Sequence, residues 1–309
     1  MPKITPQDIV VNPANAAVII VLTVHEGSES VVRGVLADAP GLIRAVGFRA
    51  KADRLTATVG VGSDAWDRIV GGARPASLHP FAPVEGEKHR APATPGDVIL
   101  HIRAQRFDLC FELARQFMAR LDGHVTVQDE THAFKYFDER DLLGFVDGTE
   151  NPEGDAAVEA VLVGDEDPDF QGGSHLIVQK YLHDLTAWND QSVEEQEKVI
   201  GRTKLDDIEL PDDVKPSNSH VAANSLTDAD GNDLQILREN MIFGEVGAGE
   251  YGTYFIGYAG DPEVTETMLR RMFIGDPPGN YDRILDFSSA TTGSLFFMPT
   301  VDQLESLAD

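Results

Sequence analysis

The sequence predicts an α+β fold with antiparallel sheets, built from one unit used twice. Three observations carry that reading. Strand-like and helix-like periods follow the order β-α-β-β-α-β up to about residue 140. A similar order returns after residue 174. The stretch "VGVGSD" (59–64) is echoed by "IGYAGD" (256–261), each a strand ending in glycines and leading into a helix.

The elements follow in order. "AAVIIVLTV" (16–24) reads as a strand, "SESVVRGVLADAPGLIRAV" (28–46) as a helix and "RLTATVGVG" (54–62) as a strand. "SDAWDRIVG" opens with a Ser-Asp start signal and predicts a short helix. Residues 71–96 hold five prolines and four glycines, which makes them an ordered loop. "DVILHIRAQ" (97–105) is a strand, "FDLCFELARQFMARL" a long amphipathic helix, and "HVTVQDETHAFKYF" (124–137) alternates like a paired or edge strand. In the second half "SHLIVQKYLHDL" (174–185) is a strand, "SVEEQEKVIGR" (192–202) a capped helix and "YGTYFIGYAG" (251–260) a strand. The helix "DPEVTETMLRRMFIG" (261–275) follows, and "TGSLFFMP" (292–299) closes the chain as an apolar strand. This order defines two ferredoxin-like domains, 1–145 and 146–309. The stretch "GFVDGTENPEG" (144–154) falls at their junction, where ligand sites are common.

A chain of 309 residues with 42% hydrophobic content can bury a sizeable core and exceeds the size at which single cores usually split. Its net charge of −27 argues against nucleic acid or an anionic membrane as partner, since both would repel it. The apolar run near the start is too short to span a bilayer and lacks a basic leader, so the expected location is cytoplasmic. Cys110 is single, cannot form an internal disulfide, and falls on the apolar face of its helix, where a buried structural thiol is expected.

Three residues stand out chemically. Asp147 follows the apolar "LLGFV", read as a strand end, and precedes a Gly-Thr-Glu-Asn-Pro turn; it is either a turn-capping aspartate or a carboxylate buried for use. Arg238 and Asn240 in "LQILRENMIFGE" lie at i and i+2 of a strand and share a face, with Glu239 pointing away. A buried guanidinium needs an anionic partner or ligand, and Asp147 is one candidate. Of the nine histidines, none has a companion at zinc-ligand spacing. His220, in "KPSNSHVAANSL", sits between a turn and a small-residue apolar stretch, a context that suits a single axial ligand to haem iron.

"GFVDGTENP", "KPSNSHVAANSL", "LRENMIFG" and "YDRILDFSSATTGSLFFMP" occur in this order and spacing in the dye-decolorising peroxidases. The chain resembles the bacterial B-type branch over essentially its whole length, including "HPFAP" and "VIGRTK". The resemblance implies a peroxidase using haem b (iron protoporphyrin IX), with the haem pocket mainly in the C-terminal domain. Such an enzyme reduces hydrogen peroxide through a ferryl intermediate while oxidising dyes, phenols or other small reductants. It also implies His220 as the iron ligand, Asp147, Arg238 and Asn240 on the peroxide side, and Arg202 at a haem propionate. Gly148, Thr149 and Glu150 would approach the porphyrin edge. Asp282 would accept a hydrogen bond from His220, with Asp286 as the nearby competitor. Trp188, Tyr251, Tyr254 and Tyr258 are candidates for carrying electrons to the surface, though such residues are more often simply core. The expected partners are peroxide and small organic reductants, and the expected assembly is a homo-oligomer, a dimer or larger. The ending "DQLESLAD" lacks the long tail by which some relatives enter a protein shell. The rival reading is a haem-handling protein with incidental peroxidase activity.

Overall fold

The computed structural model describes residues 4–308. Residues 1–3 and 309, including the first residues of the segment searched for an export signal, lie outside the described ones. The first half runs β1 (Ala16–Val24), α1 (Glu29–Gly47), β2 (Thr56–Gly62), α2 (Ser63–Ile69), β3 (Val98–Ala104), α3 (Phe107–Leu121) and β4 (Val125–Phe134). Then come α4 (Gly154–Val161), β5 (Ser174–His183), α5 (Leu185–Asn189), α6 (Val193–Ile200) and α7 (His220–Asn224). The chain continues through β6 (Leu237–Arg238), β7 (Met241–Glu245), β8 (Glu250–Ala259), α8 (Pro262–Phe273), β9 (Ser288–Ala290), β10 (Ser294–Met298) and α9 (Val301–Ser306).

Pairing within the first half gives the strand order β4-β1-β3-β2, and within the second β7-β8-β5-β10, all antiparallel. Numbered within each unit, both are the 4-1-3-2 order of a ferredoxin-like sheet, as the element order predicts. The echo of "VGVGSD" in "IGYAGD" is not part of this repeat. It matches β2, the second strand of its unit, with β8, the third of its own.

The two sheets join edge to edge. Phe296 and Phe297 of β10 pair with Gly62 and Val61 of β2, and Ile242 of β7 pairs with Phe134 of β4. Eight strands therefore close into a ring. This explains why β1 reads as an unbroken apolar run rather than an alternating one: both its faces are buried. Val18, Ile20 and Leu22 pack under α1 and α3, together with Cys110, Leu113 and Phe117. Ala17, Ile19 and Val21 face into the ring, where they meet Leu176, Ile256 and Phe296 from the other half. Cys110 is buried, its Sγ 3.5 Å from Ala16 O, and burial pushes the thiol up to about 12. It is a structural thiol. The chain does not close on its last strand, because Thr300 and Gln303 form a capping box that starts α9.

Polar groups are also sealed inside the ring. Arg103 on β3 is ion-paired to Glu239, and Tyr258 Oη lies 2.7 Å from Thr58 Oγ1 and 2.8 Å from His101 Nδ1. Burial, then the Arg103 charge, pushes His101 far below the usual imidazole range, so that ring is neutral. Removing one partner of a buried ion pair strands the other charge. Arg103→Met is expected to lower stability in urea unfolding by about 3–5 kcal/mol, and Arg103→Met/Glu239→Met to recover most of that loss. Equal losses for the single and double variants would show that the second change relieves no stranded charge.

Candidate active site

The cavity of about 390 Å³ beside β5 and β8 is walled by apolar side chains, among them Phe255, Leu269, Met272 and Ile284. That volume is in the usual range for small-molecule and cofactor sites. Of the residues assigned to the pocket from the sequence, Asp147, Gly148, Thr149, Glu150, Arg202, His220, Arg238 and Asn240 line it; Asp282, Asp286 and the aromatic relay candidates do not. Asp282 lies just behind, in contact with His220.

Asp147 does not leave a strand end. Gly144, at φ +90, breaks "LLGFV" into a loop in which Arg140 and Val146 form a single β-bridge. A side chain at Gly144 would also strike Lys204, whose Cε lies 2.6 Å from the Cβ position. Asp147 is held by its own N–H, which donates to Glu139 O at 3.1 Å, and its Oδ1 accepts from Asn240 Nδ2 at 3.4 Å. It caps no helix and makes no ion pair with Arg238.

"LQILRENMIFGE" keeps one register against β8 but is interrupted between β6 and β7. The interruption has a local cause. Asn240 Oδ1 accepts the Ile256 N–H at 3.2 Å, so a side chain stands in for a ladder carbonyl. The alternation survives: Arg238 and Asn240 line the cavity while Glu239 turns into the ring toward Arg103. The Arg238 guanidinium has no hydrogen-bond or ion-pair partner among the described residues. Its backbone is gripped by Asn151, which accepts from Arg238 N at 3.0 Å and donates to Arg238 O at 2.7 Å. Asn151, unremarked in the sequence, thereby ties the Asp147 loop to the Arg238 strand. Its signal was the Asn-Pro of the turn.

His220 is the first residue of α7, whose N-cap Ser219 accepts from Ala222 N. His220 Nδ1 lies 2.7 Å from Asp282 Oδ2, and the Asp282 side chain is fully buried. Its Nε2 has no partner among the described residues. Asp286 is engaged elsewhere, with Lys88, His89 and Tyr281. Arg202 is already occupied: Nη1 donates to exposed Glu150 at 2.7 Å, Nε to Asp207 Oδ1 at 2.8 Å and Nη2 to Asp207 O at 2.9 Å. Thr149 Oγ1 donates to Asp207 as well, at 2.7 Å.

Several titratable groups of the cavity escaped the sequence reading, His183 and Asp141 among them. His183, at the end of β5, is bracketed by Ser288 Oγ at 2.8 Å and Thr253 Oγ1 at 2.9 Å, and burial pushes it down to about 4. Asp141 is pushed up to about 7, chiefly by burial. The aromatic relay candidates divide. Trp188, Tyr254 and Tyr258 are fully buried, and Tyr251 is half-buried.

One nitrogen of His220 is fixed by a buried carboxylate, the other is left open, and the ring shares a cavity with an unpaired arginine, an arrangement that fits a peroxidase site. The comparisons with known proteins agree on that class. The family described as "Dyp-type peroxidase, N-terminal" matches residues 6–135, and "Dyp-type peroxidase, C-terminal" matches residues 138–303. A dye-decolorizing peroxidase of Mycolicibacterium paratuberculosis is 59% identical over 305 residues, covering 99% of this chain and 86% of that protein. The encapsulated DyP-type peroxidase of Mycobacterium smegmatis superposes with a TM-score of 0.96 at 60% identity, covering 98% of each chain. A DypB variant of Rhodococcus jostii RHA1, in complex with heme, gives 0.96 at 57% identity, covering 97% of this chain and 98% of that one. The chain belongs to the Dyp-type peroxidase family.

The Asn151 clamp is testable without any ligand. Asn151→Ala leaves the Arg238 N–H and C=O unpaired, which is expected to cost about 1–3 kcal/mol and to speed hydrogen exchange of the Arg238 amide. Unchanged protection of that amide would mean that the β6 pairing holds Arg238 without Asn151.

Proposed function

We propose that this chain is a haem b peroxidase that reduces hydrogen peroxide at the expense of dyes, phenols or other small reductants, with His220 as iron ligand. The carrying observation is the His220–Asp282 contact, which opens Nε2 into the cavity that the Arg238 guanidinium also lines. The donor set fits haem. Asp282 accepts the Nδ1 proton, fixes the tautomer that leaves the Nε2 lone pair free, and adds anionic character to the ligand. The apolar walls suit a porphyrin face.

Bound haem supplies the open iron position for peroxide and stores the oxidising equivalents until reductants return electrons. The side chains do the rest. Asp147 takes a proton from one peroxide oxygen and returns it to the other, directly or through water. The Arg238 cation, free of any protein partner, stabilises negative charge developing on the departing oxygen. Asn240, which already donates to Asp147, orients that carboxylate beside peroxide.

Arg202 is assigned to a propionate, with Gly148, Thr149 and Glu150 along the porphyrin edge. Glu150 is the exchangeable partner, since its side chain is 58% exposed, while Asp207 grips Arg202 at two donors. On this reading the haem belongs to a C-terminal domain, 146–309, and the chain acts as a cytoplasmic homo-oligomer. No helix among the described residues is long and apolar enough to cross a membrane. The unpaired Arg238 charge favours the enzyme over a haem-handling protein, because storage has no use for it.

His220→Ala is expected to lose haem on gel filtration and to change the ferric spectrum, whereas His132→Ala, whose ring pairs with Glu130 at the surface, leaves both unaltered. An unchanged histidine-ligated spectrum in His220→Ala removes the assignment. With haem content matched, Arg238→Leu is expected to slow the stopped-flow reaction with peroxide by ~10²–10³-fold, the cost of one preorganised charge. Asp147→Asn should lose less, since water can bridge the two oxygens. The reverse ranking would put proton transfer, not charge stabilisation, at the top of the barrier.

A further inference from the structure

Asp147 lies on a loop, where no continuous ladder fixes it. Its N–H donates to Glu139 O, and Glu139 sits at φ +55 directly after Asp138 at φ +58. Two consecutive side-chain residues in the left-handed region are costly, and such backbone persists only where its surroundings over-determine it. Among the described residues the non-glycine residues with positive φ are Arg54, Asp138, Glu139 and Asp207. All but Arg54 lie in two loops: the one that leads to Asp147, and the 203–208 loop that follows Arg202.

Arg140 joins these two loops. Its side chain is 17% exposed; Nε donates to Asp138 Oδ2 at 2.9 Å, Nη1 to Gly144 O at 3.0 Å and to Lys204 O, and Nη2 to Leu205 O at 3.1 Å. The fixed fork of a guanidinium can reach carbonyls of two segments at once, which a lysine's single ammonium cannot. The 203–208 loop is closed on itself. Thr203 N–H donates to Ile208 O at 2.8 Å, Asp207 N–H to Thr203 O at 3.2 Å and Ile208 N–H to Thr203 Oγ1 at 3.0 Å. Lys204 N–H fastens the loop to Glu197 Oε1 of α6 at 2.8 Å. Asp207 then reaches both ways: its Oδ1 and O accept from Arg202, and its Oδ2 accepts from Thr149 Oγ1 at 2.7 Å. The loop therefore grips the Asp147 segment on both sides, before it through Arg140 and after it through Thr149.

We infer that the 203–208 loop is the mount of Asp147. Arg140 and Asp207 are positioning residues that hold the 138–149 segment against Arg202, so that the arginine assigned to a propionate and the carboxylate that handles the peroxide proton are placed by one piece of backbone. The inference rests on the peroxidase reading above. Neither residue is assigned a contact with peroxide; each acts through Asp147. A misplacement of about 1 Å caused by a change away from the chemistry can slow an enzyme by ~10²-fold.

Arg140→Met tests this, because it keeps most of the side chain's length and removes every donor. In the full chain without haem, hydrogen exchange of the Asp147 amide is expected to be faster in Arg140→Met and in Asp207→Asn than in wild type. It should be unchanged in Arg106→Met, whose guanidinium pairs with Asp108 at the surface. Asp207→Asn is the gentler change, since asparagine tolerates the left-handed backbone, and it decides the matter if Arg140→Met does not fold. With haem content matched, Arg140→Met is expected to slow the stopped-flow reaction with peroxide by ~10²-fold while the histidine-ligated spectrum stays that of wild type. Arg140→Lys should recover only part of that loss. In an Asp147→Asn background Arg140→Met is expected to cost little more, because the residue it positions has already lost its role. A full additional loss in that background overturns the action through Asp147. Unchanged exchange of the Asp147 amide in both variants overturns the mount. A wild-type chain that holds haem but never reacts with peroxide sinks the peroxidase reading, and the exchange measurement then still decides whether the loop holds Asp147.

Discussion

The ion pair between Arg103 and Glu239 is the constraint on which the site depends. It joins β3 of the first half to the link between β6 and β7 of the second, inside the ring of strands. A strand residue cannot turn inward without sending its neighbours outward. By fixing Glu239 toward Arg103, the pair commits Arg238 and Asn240 to the cavity face. A slip of one residue would bury Arg238 in the ring beside a second guanidinium and leave the cavity with a carboxylate instead. The register of the ladder and the position of the unpaired cation are therefore one choice.

Much of this was legible because alternation is a local property. "LRENMIF" states its two faces in seven residues, and the strands buried on both sides announce themselves as apolar runs. The pairing of the two half-sheets was not legible, since Gly62 with Phe296 and Phe134 with Ile242 are contacts between distant segments with no local pattern. Nor could the sequence choose between Asp282 and Asp286. The choice depends on the proline-rich loop, which brings Lys88 and His89 to Asp286 and leaves Asp282 for His220. The strand read into "LLGFV" failed at its glycine, and that reading hid Asp141, whose position opposite Phe145 exists only if the segment turns back on itself.

Two arginines line the cavity, and their surroundings separate them. Arg202 is saturated by Asp207 and Glu150, so its charge is largely neutralised before any ligand arrives. Such a group can anchor an edge but has little electrostatic pull left. Arg238 is held only by its backbone, through Asn151 and the ladder to β8, and its guanidinium is left to the cavity. Holding the main chain while leaving the side chain unpaired keeps the charge in place without neutralising it. A fixed, unneutralised cation needs no reorganisation when negative charge appears, and that is the condition under which one residue contributes most to a transition state. The acidic surface adds a second layer: with a net charge of −27, the unpaired Arg238 is a local positive exception in a negative field, so the protein's long-range attraction for cations and the short-range pull of that guanidinium on negative charge act at different distances without cancelling.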